Sequence, residues 1–178
     1  YKKKFTYKFY KNDSEFFKLV AKLISEGQVI GWFQGKMEFG PRALGNRSIL
    51  ADPSNPEMKK IINSKIKKRE SYRPFAPVVL KKLQNEWFES NFNNLYMSSV
   101  TKVKKNKQSL VPAITHVDET SRIQSIDETS NKRLASLIEA QSKIKGQITG
   151  ALIYPVAILV LAVTISLALL IFIVPTFD

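Results

Sequence analysis

The chain has 178 residues, a formal net charge of +13, no cysteine and one histidine, His116. That length bounds it to one medium domain, or a small domain with an appendage. Without cysteine, disulfides and thiolate metal sites are excluded, and a single histidine argues against a histidine-based metal site. The basic balance points to phosphate-bearing partners, nucleic acid or an anionic membrane surface, although most of the lysines read as an ordinary solvated face.

The residues up to Lys11 mix Lys with Tyr and Phe and read as extended. Asp13 or Ser14 is suited to cap a helix, and Phe16, Phe17, Val20, Leu23 and Ile24 then fall on one helical face. Gly27 suits the position that ends it. Val29 to Phe33 reads as a strand, Gln34 to Gly45 as a structured loop rich in Gly and Pro, and Ser48 to Ala51 as a short strand. Asp52 to Pro56 is turn chemistry. A second helix follows, with Met58, Ile61, Ile62, Lys65 and Ile66 on one stripe and a Lys-rich opposite face. Tyr72 to Leu80 reads as an extended or edge segment. Leu95 to Val103 alternates weakly as a strand, Lys102 to Ser109 is a basic loop, and Val111 to Ile126 is extended again. Asp127 to Asn131 is a polar break, and from Lys132 the pattern is helical. There is no internal repeat.

The chain lacks a start methionine and an N-terminal signal segment, so it is expected to be a fragment, with the first part, 1–127, cytoplasmic. Its far end differs in character. After Lys145 no charged residue occurs until Asp178, and the apolar run Ala151 to Val174 has the length of a bilayer span, about 20 residues. Lys132, Arg133, Lys143 and Lys145 precede the run, which places its N-terminal side in the cytoplasm by the positive-inside bias. The expected organisation is therefore three segments: 1–127, a junction and amphipathic helix over 128–150, and a membrane-anchoring helix over 151–178.

The most informative stretch runs from Gly31 to Ser48. It leaves a strand and carries Lys36, Arg42 and Arg47 among four glycines. Glycine lets backbone N–H groups approach an anion closely, arginine offers a planar fork that matches phosphate oxygens, and lysine adds a mobile charge. The plainer reading is a glycine-rich turn with exposed basic residues. Glu38 is expected to pair with Arg42 or Arg47 and orient it, rather than to act as a general base. Trp32, Phe33 and Phe39 read as core residues rather than as a stacking platform.

Gly35-Lys-Met-Glu-Phe-Gly-Pro-Arg-Ala-Leu-Gly-Asn-Arg-Ser-Ile-Leu-Ala-Asp-Pro53 resembles the signature of O-carbamoyltransferases, a family acting on nodulation factors, cephem antibiotics and aminoglycosides. The resemblance continues in order through Met58 to Glu70, Tyr72 to Leu80, Pro112 to Asp118 and Ser121 to Ser125. It implies an α/β fold, here an incomplete YrdC-like domain with a concave basic sheet, which the apolar run is expected to follow as a single transmembrane α-helix. It also implies use of carbamoyl phosphate and ATP to make a carbamoyl adenylate, whose carbamoyl group passes to a hydroxyl acceptor bound by a separate metal-containing domain. By the same resemblance Lys36, Arg42 and Arg122 are catalytic and phosphate-side contacts, and Arg47, Arg69 and Arg73 are further phosphate-binding candidates. His116, with Asp118 two residues away, reads as a structural group.

The family pattern leads from Arg122 through a helix to an Asn-Thr-Ser-Phe-Asn motif that this sequence does not reach. The expectation is that the chain alone does not complete a transfer, which carbamoyl-phosphate-dependent exchange of labelled pyrophosphate into ATP would overturn. The segment from Ser142 to Val156, with the apolar run and Ile173 to Phe177, is similar instead to the first span of the platform protein of type II secretion and type IV pilus systems. A junction between the two families is expected near 126–134, which reads as a chimera. The readings that follow are a carbamoyltransferase fragment acting on small molecules, an inner-membrane platform fragment anchored through 151–174, and, behind both, a basic nucleic-acid binder.

Overall fold

The structure is a computed structural model that describes residues 6–90 and 92–172, with the side chains of 145, 147–157 and 166–172 outside that description. The chain divides into two compact units, residues 1–141 and 142–178. In chain order the elements are α1 (Asp13–Ser25), β1 (Ile30–Phe33), β2 (Arg47–Leu50), α2 (Met58–Ile61), β3 (Val78–Leu80), α3 (Gln84–Trp87), β4 (Thr101–Lys102), β5 (Thr120–Ser121), β6 (Gln124–Ile126) and α4 (Glu128–Phe172).

Helix α1 buries Phe17, Val20, Ala21 and Ile24, the stripe its spacing calls for. Its cap is Asn12, one residue earlier than expected. Asn12 is extended, so its carboxamide oxygen can accept the Ser14 N–H at 2.9 Å. Asp13 is thereby released into the first turn and pairs with Arg133 at 3.0 Å. Gly27, at φ +83, closes the C-terminal end.

Strands β1 and β2 pair antiparallel, with Phe33 opposite Arg47. Strand β3 pairs parallel with β6, and β4 pairs antiparallel with β5. The result is a mixed α/β arrangement with three two-stranded pairings among the described residues, not the single concave sheet that was expected. Turns interrupt the chain after two to four strand residues, so no strand reaches the usual length of about five to six residues. The long extended segments expected over 72–80, 95–103 and 111–126 contract for the same reason to β3, β4, β5 and β6, joined by turns.

One hydrophobic cluster joins Val79, Phe88, Val103, Val111, Ile114 and Ile123, and a second joins Met58, Ile62 and Ala113. Phe75 packs against both. A buried polar network complements them. Gln84 donates to Ser90 O, Ser90 Oγ and Phe92 O, and the Ser125 hydroxyl donates to the Gln84 carbonyl. Asn94 donates its backbone N–H to Ser125 Oγ at 3.3 Å. Because these polar groups satisfy one another inside the unit, the 84–99 segment is fixed against β6.

Asp127 starts a short turn by accepting the N–H groups of Thr129 and Ser130. The backbone then breaks at Asn131 (φ −156, ψ 82), and the continuous part of α4 starts after it. Asn131 caps that part, its side-chain oxygen accepting the Leu134 N–H at 3.1 Å. Leu134, Ala135 and Leu137 are each about fully buried, so this turn of α4 belongs to the packing of the first unit.

The expected transmembrane helix and membrane anchoring are corrected. Among the described residues no helix is long and apolar enough to cross a membrane. The backbone of α4 is helical to Phe172. Residues 173 and 174 of the expected span lie outside the described residues.

Candidate functional site

The loop 34–46 connects β1 to β2, and its shape is set from inside. Gln34 N–H bonds to Asn46 O at 2.9 Å, extending the β1–β2 ladder by one step. Glu38 folds back under the loop. Its Oε1 accepts the N–H groups of Leu44 and Asn46 at 2.9 and 2.8 Å, and its Oε2 accepts the Arg47 N–H at 3.3 Å. Glu38 therefore does not orient a guanidinium, as the sequence suggested, but gathers three backbone donors.

Arg47 works on the opposite polarity. Its guanidinium donates to Gln34 O, to Asn46 O at 3.0 Å and to Gly35 O at 3.2 Å, and it stacks 3.5 Å from the centre of the Phe33 ring. With its donors on the loop's carbonyls, Arg47 serves the loop's shape first. Phe33 is exposed, and so is Phe39, which corrects the core reading of both; Trp32 alone of the three aromatics is buried, stacked on Phe16 at 6.0 Å. The β1 pleat explains why Trp32 and Phe33 differ, since successive side chains face opposite ways, while Phe39 lies on the loop beyond the strand.

The base of the loop is tied to two other elements. The Gln34 side chain donates to Gly45 O at 2.8 Å and to Asn131 Oδ1 at 2.9 Å. Gln124 on β6 donates to Leu44 O at 2.8 Å. Gly45 is buried at φ +108, and a Cβ there would lie 2.5 Å from Leu134 Cδ2 and 2.9 Å from Asn131 Nδ2, so glycine is required twice over, by conformation and by space.

Above this base Lys36 and Arg42 are exposed. Arg42 donates to Tyr96 O at 3.2 Å, a carbonyl presented by the segment that the Gln84 network fixes. The Lys36 carbonyl accepts Asn46 Nδ2 at 3.1 Å, while its ammonium makes no hydrogen bond or ion pair among the described residues. A cleft of about 400 Å3 lies against Phe33, Met37, Glu38, Pro41, Arg42 and Arg47. A second, of about 490 Å3, lies on the other side of the loop against Gln34, Asn46, Tyr96, Gln124 and Asn131.

The other expected arginines lie in two further groups. Asn63, fully buried, accepts Arg69 Nε at 2.7 Å and donates to Ser71 O and Arg73 O at 3.2 and 2.8 Å. The helical stretch after α2 widens over 62–67 and ends at Lys68 (φ 48), which returns the Arg69 N–H to Asn63 O at 3.0 Å. Arg69 also stands 5.0 Å over the Phe75 ring, and Arg73 lies 3.7 Å from Glu70. Arg122 is exposed beside His116 and Lys59, and these two cations help hold the His116 pKa below its ordinary value, after burial, which is the main cause; Asp118 acts the other way. His116 Nδ1 lies 3.2 Å from the Thr120 hydroxyl. No hydrogen bond or ion pair among the described residues joins these groups to Lys36 or Arg42.

The sequence reading missed the neutral amides Gln34, Asn63, Gln124 and Asn131. Asn63 and Gln124 lay within the blocks that carried the resemblance, but an uncharged amide advertises no chemistry until its partners are placed. Among the described residues no three His, Asp or Glu side chains converge as metal ligands would.

The family model described as carbamoyltransferase C-terminus matches residues 21–151, and the chain belongs to that family. The nodulation protein NolNO of Sinorhizobium fredii is 49% identical over 129 residues, covering 71% of this chain and 19% of that protein. The nodulation protein NolO of Bradyrhizobium diazoefficiens is 48% identical over 126 residues, covering 69% of this chain and 23% of that protein. The 3'-hydroxymethylcephem-O-carbamoyltransferase of Streptomyces clavuligerus is 36% identical over 127 residues, covering 71% and 24%. The chain thus spans about a fifth to a quarter of the length of these relatives. A second family model, described as type II secretion system protein F, matches only residues 128–175 and overlaps the first over 128–151.

Proposed function

We propose that this chain is the part of an O-carbamoyltransferase that binds carbamoyl phosphate and ATP. The observation that carries the reading is the 34–47 loop. Its backbone is fastened by Glu38, Arg47 and Gln34, which leaves Lys36 and Arg42 as exposed cations, Arg42 lining a cleft. Arg42, held by its bond to Tyr96 O, and Lys36, a mobile charge, suit polyanionic reactants in which charge builds up on phosphate oxygens.

In the proposed reaction, water cleaves carbamoyl phosphate to carbamate and inorganic phosphate. A carbamate oxygen then attacks the α-phosphorus of ATP and pyrophosphate leaves, giving carbamoyl adenylate. The acceptor hydroxyl, held outside this chain, attacks the carbamoyl carbon and AMP leaves. Lys36 and Arg42 neutralise phosphate charge, Arg122 adds a contact on the phosphate side, and Arg69 and Arg73 enlarge the basic field. The cephem carbamoyltransferase among the relatives, named for transfer to a hydroxymethyl group, supports this class of acceptor.

The test is calorimetric titration of the full chain with carbamoyl phosphate and with ATP. Lys36→Ala and Arg42→Ala are each expected to weaken binding by about tenfold or more, the scale of a lost charge-assisted contact. Their unfolding midpoints should stay near that of the unaltered chain, because both side chains are exposed. Binding that is unchanged in both variants would sink the reading.

A further inference from the structure

Three backbone N–H groups, those of Leu44, Asn46 and Arg47, converge on one carboxylate, Glu38, at 2.9, 2.8 and 3.3 Å. Converging backbone donors in a glycine-bearing turn form a concavity that ordinarily receives an external anion. Here the anion comes from the same loop. Glu38 makes no ion pair among the described residues, so the negative end of the arrangement answers to backbone dipoles. The carbonyls of the same stretch are held by Arg47, and Gly45 gives its own N–H to Ser48 Oγ at 3.0 Å. Expelling Glu38 would orphan three donors at once, which costs more than a single lost hydrogen bond.

We propose that Glu38 is a positioning residue, a fixed internal anion that occupies the loop's backbone concavity and holds the loop in its ligand-binding shape. The substrate phosphate is then met by the side-chain cations Lys36 and Arg42 rather than by backbone amides. The opposite arrangement, in which an incoming phosphate displaces Glu38, would make the carboxylate a gate. The fastening of both backbone polarities favours the fixed role. The inference rests on the loop being the phosphate site, as proposed above.

The experiment uses the full chain, as the unaltered protein, Glu38→Ala and Glu38→Gln, with two readouts. One is calorimetric affinity for carbamoyl phosphate, with and without sodium formate, against sodium chloride of equal ionic strength. The other is hydrogen exchange at the amides of Leu44, Asn46 and Arg47. Glu38→Ala should lose affinity by about tenfold or more, and added formate should restore part of it by refilling the concavity, while formate leaves the unaltered protein the same or weaker. Glu38→Gln keeps the shape and one acceptor and should lose less. Protection of the three amides should fall in Glu38→Ala and return with formate. Equal or tighter binding by Glu38→Ala would overturn the fixed role in favour of the gate. If the unaltered chain fails to bind carbamoyl phosphate, the proposed function falls, and the exchange readout still decides the role of Glu38: amides equally protected in all three proteins would overturn it. Should Glu38→Ala not fold, Glu38→Gln decides at the Arg47 amide, which loses its carboxylate acceptor: its protection should fall, and unchanged protection with tighter carbamoyl phosphate binding would overturn the fixed role.

Discussion

Two arginine-bearing loops of the first unit are held in place by different means. The 34–47 loop is held by ionised side chains, Glu38 taking its N–H groups and Arg47 giving to its carbonyls, and both sit only partly covered. The 68–73 loop is held by one neutral amide, Asn63, which is fully buried and serves Arg69, Ser71 and Arg73 together. The difference follows from burial. A charge in a fully enclosed position carries a desolvation cost that a primary amide avoids, whereas at a half-exposed position a charged group makes the stronger hydrogen bonds and keeps part of its hydration. The half-exposed struts of the first loop are thus charged, and the buried strut of the second is an amide.

The comparison can be broken at its base. Gly45→Ala should have the largest effect, a loss of about 2–4 kcal/mol, because the new Cβ meets Leu134 and Asn131 and the backbone stays in a region that alanine resists. A urea midpoint unchanged from the unaltered chain would show that the loop base yields easily. Asn63→Leu should cost about 2–3 kcal/mol by orphaning the Ser71 and Arg73 carbonyls and the Arg69 donor. It should raise hydrogen exchange at 69–73 and leave the amides of Leu44 and Asn46 protected. Loss of protection in both loops would mean that the two are one cooperative unit.

Two smaller effects depend on pH. The His116 pKa lies below its ordinary value of 6.5. Its folded form therefore prefers the neutral ring, and its share of stability is present above 6.5 and declines as the pH falls below that value. His116→Gln should flatten that part of a urea-midpoint profile; an unchanged slope would assign it to another group. The Asp127 carboxyl is held at about 2, chiefly by the Thr129 hydroxyl and the Ser130 N–H. Its contribution is present above the ordinary 3.8 and is lost as the pH falls toward about 2. Asp127→Ala should remove that acid limb, the smallest effect because the group is exposed, and a retained limb would deny the cap its role.

By itself the sequence determined α1, the β1–loop–β2 order, the helical stretch from Met58 and the family, because periodicity, glycine placement and a run of matched motifs are local properties of the chain. It also marked Lys36 and Arg42 as cations on a glycine-bearing loop. Only the tertiary structure decided that Arg47 and Glu38 turn inward to backbone groups, that Phe33 and Phe39 stay exposed, and that Asn131 and Leu134 close the base of the loop from α4. Those assignments depend on partners as far as ninety-seven residues away, as for Gln34 and Asn131, and no local pattern encodes which face of a strand or which donor a long-range neighbour will claim.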